Sequence, residues 1–182
     1  AGFLPEDWHR AGMLASIYGV IQETVFSITR VLPVVILVLL ITVWLMFRRL
    51  WPVFVTMLVG GVSAIWTMSL SVLIDNRISV LIAMVPAVVL TVSFSDVIHL
   101  CSAYLMELRR GRTKHAAIVK SGTEVGWACL WTSVTTFVGF LALSFIPTPI
   151  FRQLGVVLAS GVGVALLLAM TIGPVTFSFL KR

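Results

Sequence analysis

Asp96 is the residue whose chemistry needs explaining first. An uncharged run from Ile78 to Ser95 precedes it and Val97, Ile98 and Leu100 follow, so it is the only acid set inside an apolar span. A charge at membrane depth costs about 2.5–3.5 kcal/mol even on insertion scales. Removal from water disfavours the ionised carboxylate. A carboxyl that holds a proton there and releases it when water arrives is what a proton carrier needs. The competing reading is a carboxyl that snorkels toward a membrane boundary or pairs with a neighbouring helix. His99 lies three residues on and shares a helix face with Asp96. It either passes protons and tunes Asp96, or is an interfacial histidine bonded to backbone. Ser95 either donates to its surroundings or bonds back to its own helix.

A second group lies further along. Thr132, Ser133, Thr135 and Thr136 put four hydroxyls within five positions of a stretch otherwise made of Val, Phe and Leu. Thr132, Thr136 and Gly139 fall on one helical face. Beside a carboxyl, such a face hydrogen-bonds it or holds a water chain. The alternative is helix–helix glue, worth about 0.6 kcal/mol per contact. Glu124 at the mouth of this span is expected to be solvated or paired with a base.

The elements that position these residues follow from composition. Of 182 residues, 59% are apolar and 11% charged, and the mean hydropathy is +1.09. That excludes a soluble enzyme, a disordered tail and a disulfide-stapled secreted domain. The uncharged stretches do not alternate, which excludes a barrel, and they are long enough for helical spans. Five transmembrane helices are expected, over about 31–49, 50–74, 78–106, 124–146 and 152–180. Within them Gly60, Gly61, Gly139, Gly155 and Gly161 are candidate close-packing positions.

The links are short. Phe47-Arg48-Arg49-Leu50-Trp51-Pro52 reads as a tight helical hairpin with Pro52 in the first turn of the next helix. Asp75-Asn76-Arg77 reads as a turn, with the third span starting near Ile78 and running to Arg110. Gly111 to Gly122 reads as a loop with a short surface helix, Pro147-Thr148-Pro149 as a break, and the fifth span as ending near Pro174. Residues 1–30 carry Leu14, Ile17, Tyr18, Ile21, Val25 and Ile28 at helical spacing, with Gln22, Glu23 and Arg30 off that stripe. They read as an amphipathic helix on the outer surface leading into the first span. There is no export signal in them, and the abrupt start suggests a processed or partial chain.

The net charge of +6 is a topology signal rather than a nucleic-acid surface, because the bases sit at helix ends. Arg48, Arg49, Arg109, Arg110, Arg112, Lys114, Lys120, Lys181 and Arg182 collect on one side; Arg10, Arg30, Arg77 and Arg152 collect on the other. The positive-inside rule puts the richer side in the cytoplasm, the N-terminus outside and the C-terminus inside. Cys101 and Cys129 fall near the inner ends of their spans and read as small apolar residues rather than a disulfide or metal pair. No phosphate-binding loop, nucleophile elbow, metal-ligand set or paired catalytic carboxylates occur. The expectation is therefore no enzyme activity, no cofactor and no metal, with any active transport drawing on an ion gradient or a partner.

Several stretches resemble a known family. Ser95-Asp96-Val97-Ile98-His99-Leu100, Tyr104 and Glu107-Leu108-Arg109-Arg110-Gly111 resemble the fourth transmembrane helix of the resistance–nodulation–division (RND) superfamily. They are most similar to its MMPL-like and hopanoid-exporter-like lipid transporters. Thr132 to Leu143 resembles the fifth helix. Phe151-Arg152-Gln153-Leu154-Gly155 with Gly173-Pro174 resembles the sixth, and Phe47-Arg48-Arg49 the step between the second and third. The resemblance spans about 12–182. It implies helices two to six of a six-helix half, related to a second half by a pseudo-twofold axis, in a bacterial inner membrane. It also implies large outer domains beyond these residues and export driven by protons on fourth-helix acids. Asp96 matches the second of the family's acidic pair, and Ser95 stands where many members have the first. The partners implied are membrane lipids, a hydrophobic or lipid substrate, protons, and a second transporter half or another copy of the chain. Sterol-sensing domains resemble the same five helices, which leaves a lipid sensor without pumping as the alternative. The protein-export auxiliary of the Sec system shares the helix arrangement, but its fourth-helix Asp-x-Asn-x-x-Ile-x-Glu-Arg stretch is absent.

Overall fold

A computed structural model describes residues 18–19, 21–22, 25–74 and 83–179. The described residues are helical, without strands, and hold five helices long and apolar enough to cross a membrane. They are built on α1 (Leu32–Phe47, which the turn before it extends to a span of Thr29–Phe47), α2 (Leu50–Ile74), α3 (Val85–Arg109), α4 (Lys114–Leu143) and α5 (Pro149–Phe179). The expected turn at Asp75, Asn76 and Arg77 lies outside the described residues, as do Leu14, Ile17, Glu23, Lys181 and Arg182. Tyr18, Ile21 and Val25, from the stripe expected near the N-terminus, are each more than half exposed and face away from the bundle.

The sequence explains where each helix starts and stops. A wide π-type turn, Ser27–Val31, leads into α1, with Pro33 in the first turn, where its missing N–H costs nothing. Arg48 ends α1 in the left-handed conformation (φ 50°), its N–H donating to the Trp44 carbonyl at 2.7 Å. That conformation is unfavourable for a side chain, and it lets two residues reverse the chain into α2. Pro86 occupies the first turn of α3. Gly111 (φ +81°) makes the turn after α3, a conformation glycine adopts freely. Thr113 caps α4 by accepting from the Ala116 N–H.

Two expectations are corrected. The Lys114–Gly122 segment is not a separate surface helix: no breaker follows the Thr113 cap, so it forms the first turns of α4. Pro174 does not end α5, which continues to Phe179. Spanning helices tolerate an internal proline where side-chain hydroxyls and local adjustment serve the carbonyls, and Thr176 donates to the carbonyls of Ile172 and Gly173 at 2.9 and 2.7 Å.

The bundle buries small polar groups and exposes apolar ones. Thr56, Ser63, Thr67, Ser71, Ser93, Ser121 and Ser133 are buried, whereas Leu37, Ile41, Trp44, Phe54, Ile65 and Leu167 are exposed. Four of the buried hydroxyls donate to carbonyls four residues back, including Ser63 to Val59 and Thr67 to Ser63, both at 2.7 Å. Lipid tails solvate an aliphatic surface and supply no hydrogen-bond partner, so this arrangement suits a bilayer. Helix α3 is central and contacts all four others; α1 rests at the side with only Val43 buried.

Two apolar clusters join the helices. At one end Val55, Val59, Leu100, Tyr104 and Phe177 pack together. Tyr104 and Phe177 stack at 4.5 Å, with Trp51 edge-on to both. This cluster brings the start of α2 to the ends of α3 and α5. Lys114 adds a hydrogen bond to the Ser178 carbonyl at 2.6 Å. The α1–α2 and α3–α4 links, with their bases, therefore share one end of the bundle. At the other end Val85, Val89, Val157 and Ala165 form the second cluster.

Candidate functional site

Asp96 sits in the fourth turn of α3, 4% exposed, between the fully enclosed Val97 and the buried Phe94. Its Oδ2 has no hydrogen-bond partner. Two side chains of α4 approach the carboxyl. The Cys129 thiol and, one turn on, the Ser133 hydroxyl both lie beside it, and Ser133 Oγ completes no hydrogen bond. Cys129 and Ser133 lie four residues apart, so one face of α4 presents both. His99 stands one turn along α3, near enough to interact electrostatically with the carboxyl.

An unpaired buried polar atom normally costs about 1–3 kcal/mol. Here two of them, Asp96 Oδ2 and Ser133 Oγ, lie on facing helices. A proton on the carboxyl, or one water between the pair, satisfies both at once. The arrangement suits a carboxyl that changes protonation state better than one locked in an ion pair.

The other candidates divide by face. Ser95 and His99 are exposed, and with Thr91 they form a polar stripe at four-residue spacing along the outside of α3. Thr132 is exposed and donates to its own helix, at the Ala128 and Cys129 carbonyls; half-buried Thr136 donates to the Thr132 carbonyl at 2.7 Å. Of the α4 hydroxyls, Ser133 is the one brought to Asp96, while the Thr132–Thr136–Gly139 face turns outward. If Asp96 carries a proton in transport, Ser133→Val is expected to lower the rate about five- to tenfold, the roughly 1 kcal/mol of one ordinary hydrogen bond, and Thr132→Val to leave it unchanged. Initial transport rates of the two variants, measured side by side, check this.

The glycines also divide. A Cβ at Gly60 would lie 2.7 Å from Phe94, at Gly161 2.7 Å from Thr67, and at Gly155 2.7 Å from the Phe140 carbonyl oxygen. At Gly61 and Gly139 it would meet nothing within 4 Å, so these two take no part in packing within the bundle. Gly173, absent from the sequence candidates, packs closely: a Cβ there would lie 2.6 Å from Leu100.

Glu107 is the residue that sequence reasoning undervalued. It lies three turns from Asp96 on the same face of α3 and is 1% exposed. Its carboxylate pairs with Arg110 and with Arg112, each at 2.6 Å, which fixes the α3–α4 turn. The available signal was an acid followed at three and five residues by arginine around a glycine. Glu124 pairs with Lys120 at 3.3 Å. Cys101 and Cys129 are both free thiols. Among the described residues no cluster of His, Cys, Asp and Glu has a metal-binding arrangement.

Comparison with known proteins agrees with this architecture. A membrane protein of Methanocaldococcus jannaschii is 31% identical over 136 residues, covering 75% of this chain and 35% of that protein. The chain thus spans about a third of the length of that relative. Residues 10–180 match the MMPL family. A match over nearly the whole chain, on a bundle of five apolar helices, makes this a membrane protein of the MMPL family.

Proposed function

We propose that these helices are the membrane core of a proton-driven exporter of lipids or other hydrophobic molecules, and that Asp96 carries the proton. The observation that carries this reading is a buried intramembrane carboxyl with one oxygen unpaired, opposite an unpaired hydroxyl on the next helix. Ionisable groups at membrane depth are costly and mark ion pathways. Ser95 and His99, exposed beside it, support a second half or a second copy of the chain packed there, because lipid tails offer these groups no partner. The basic end of the bundle faces the cytoplasm on this reading, which follows the positive-inside rule.

The test uses vesicles containing the full-length protein, an imposed proton gradient and a fluorescent phospholipid analogue. Gradient-dependent movement of the analogue, stopped by a protonophore, is the expected result. Movement that survives collapse of the gradient contradicts proton drive. Saturable lipid binding without movement replaces the exporter with a lipid sensor.

A further inference from the structure

The cations at the basic end fall into two groups. Arg110 and Arg112 hold Glu107, Lys120 holds Glu124, and Lys114 donates to the Ser178 carbonyl. Arg48, Arg49 and Arg109 differ: among the described residues none forms an ion pair, and Arg48 stands outside the cavity that the other two share. Arg49 and Arg109 line one cavity of about 230 Å³, between the end of α1, the α1–α2 link and the last turns of α3. Its other walls are Met46, Phe47, Leu105 and Leu108. The described residues include three acids. Glu107 and Glu124 are already engaged, and Asp96 lies more than three turns deeper along α3, so no described carboxylate is available to neutralise these two guanidiniums.

Apolar walls below two guanidiniums, at the end of membrane-spanning helices, match the chemistry of one ligand class. Guanidinium groups bind phosphate through charge-assisted, paired hydrogen bonds, and basic pockets between helix ends take anionic lipid headgroups. The size agrees. A volume of about 230 Å³ is below the roughly 300–1,000 Å³ of sites that enclose drug-sized ligands. It admits a headgroup and leaves acyl chains to lie along the exposed aliphatic surface of α1. We propose that Arg49 and Arg109 form a binding site for the phosphate of an anionic glycerophospholipid in the leaflet at the basic end of the bundle. This site is separate from Asp96 and does not depend on the transport reading.

Native mass spectrometry of the full-length protein, titrated with phosphatidylglycerol or with phosphatidylcholine of the same chains, tests it. Phosphatidylglycerol is expected to bind more tightly. Arg49→Gln and Arg109→Gln are each expected to weaken it about fivefold and the double variant about 25-fold, through loss of the charge-assisted hydrogen bonds each guanidinium gives the phosphate. Both side chains are exposed, so the substitutions leave the bundle intact. Arg48→Gln removes the same charge one residue outside the cavity and is expected to change nothing. Equal losses in Arg48→Gln would mean diffuse attraction and overturn the site, as would equal affinity for the two lipids. Displacement of the lipid by excess inorganic phosphate would assign the cavity to free phosphate and overturn the lipid ligand.

Discussion

Asp96→Asn is expected to abolish gradient-driven transport, by about two orders of magnitude or more, while the protein still folds. Proton transfer through a positioned side chain contributes typically 10²–10⁴-fold, and an amide does not ionise at any pH the protein meets. The bundle has little reason to collapse, because the two side chains are nearly the same shape and Oδ2 forms no hydrogen bond that the substitution could break. The new amide hydrogens face the Cys129 sulfur and the Ser133 oxygen, both acceptors. Transport rate and thermal unfolding midpoint, measured on the same preparation, separate the two effects. Lost transport with an unchanged midpoint supports the proton role, whereas a fall in both would make Asp96 structural.

Gly155→Val is expected to destabilise the bundle by about 3 kcal/mol or more. Near the start of α5, even a Cβ would lie 2.7 Å from the Phe140 carbonyl oxygen, 2.8 Å from the Ser144 nitrogen and 2.9 Å from the Leu143 Cβ. Two of those atoms are backbone, so no rotamer change makes room and α4 must move away from α5. That interface is the most extensive between any two helices. Gly163, on the same helix, is the control: a Cβ there meets nothing within 4 Å, and Gly163→Ala is expected to gain about 0.5–1 kcal/mol of helix stability. Unfolding midpoints of the two variants should move in opposite directions. A shared sign would mean that the α4–α5 contact is looser than the structure has it.

The parts of this protein legible in its sequence are those that depend on transfer free energy. Unbroken apolar runs mark the spans, and an acid inside one marks Asp96, because each signal is large beside the noise of local propensity. Rotation about a helix axis is less legible. Thr132, Ser133, Thr135 and Thr136 cover too many directions of α4 to show which one faces Asp96. The answer lay in the pair four residues apart, Cys129 and Ser133, which share one face of α4. Glycine carries the same ambiguity. Gly60 and Gly61 are neighbours in sequence, yet a step of about 100° around the helix puts one against Phe94 and the other in open space. Pro174 misled because the rule that proline ends a helix comes from chains in water, and here α5 continues past it.

The measurement that bears most directly on the central claim is proton uptake on addition of substrate to vesicles with no gradient imposed, comparing the full-length protein with Asp96→Asn. Substrate-dependent uptake by the native protein and none by the variant is the predicted result. Equal uptake by both, or transport by the native protein with no proton movement, would contradict Asp96 as the carrier.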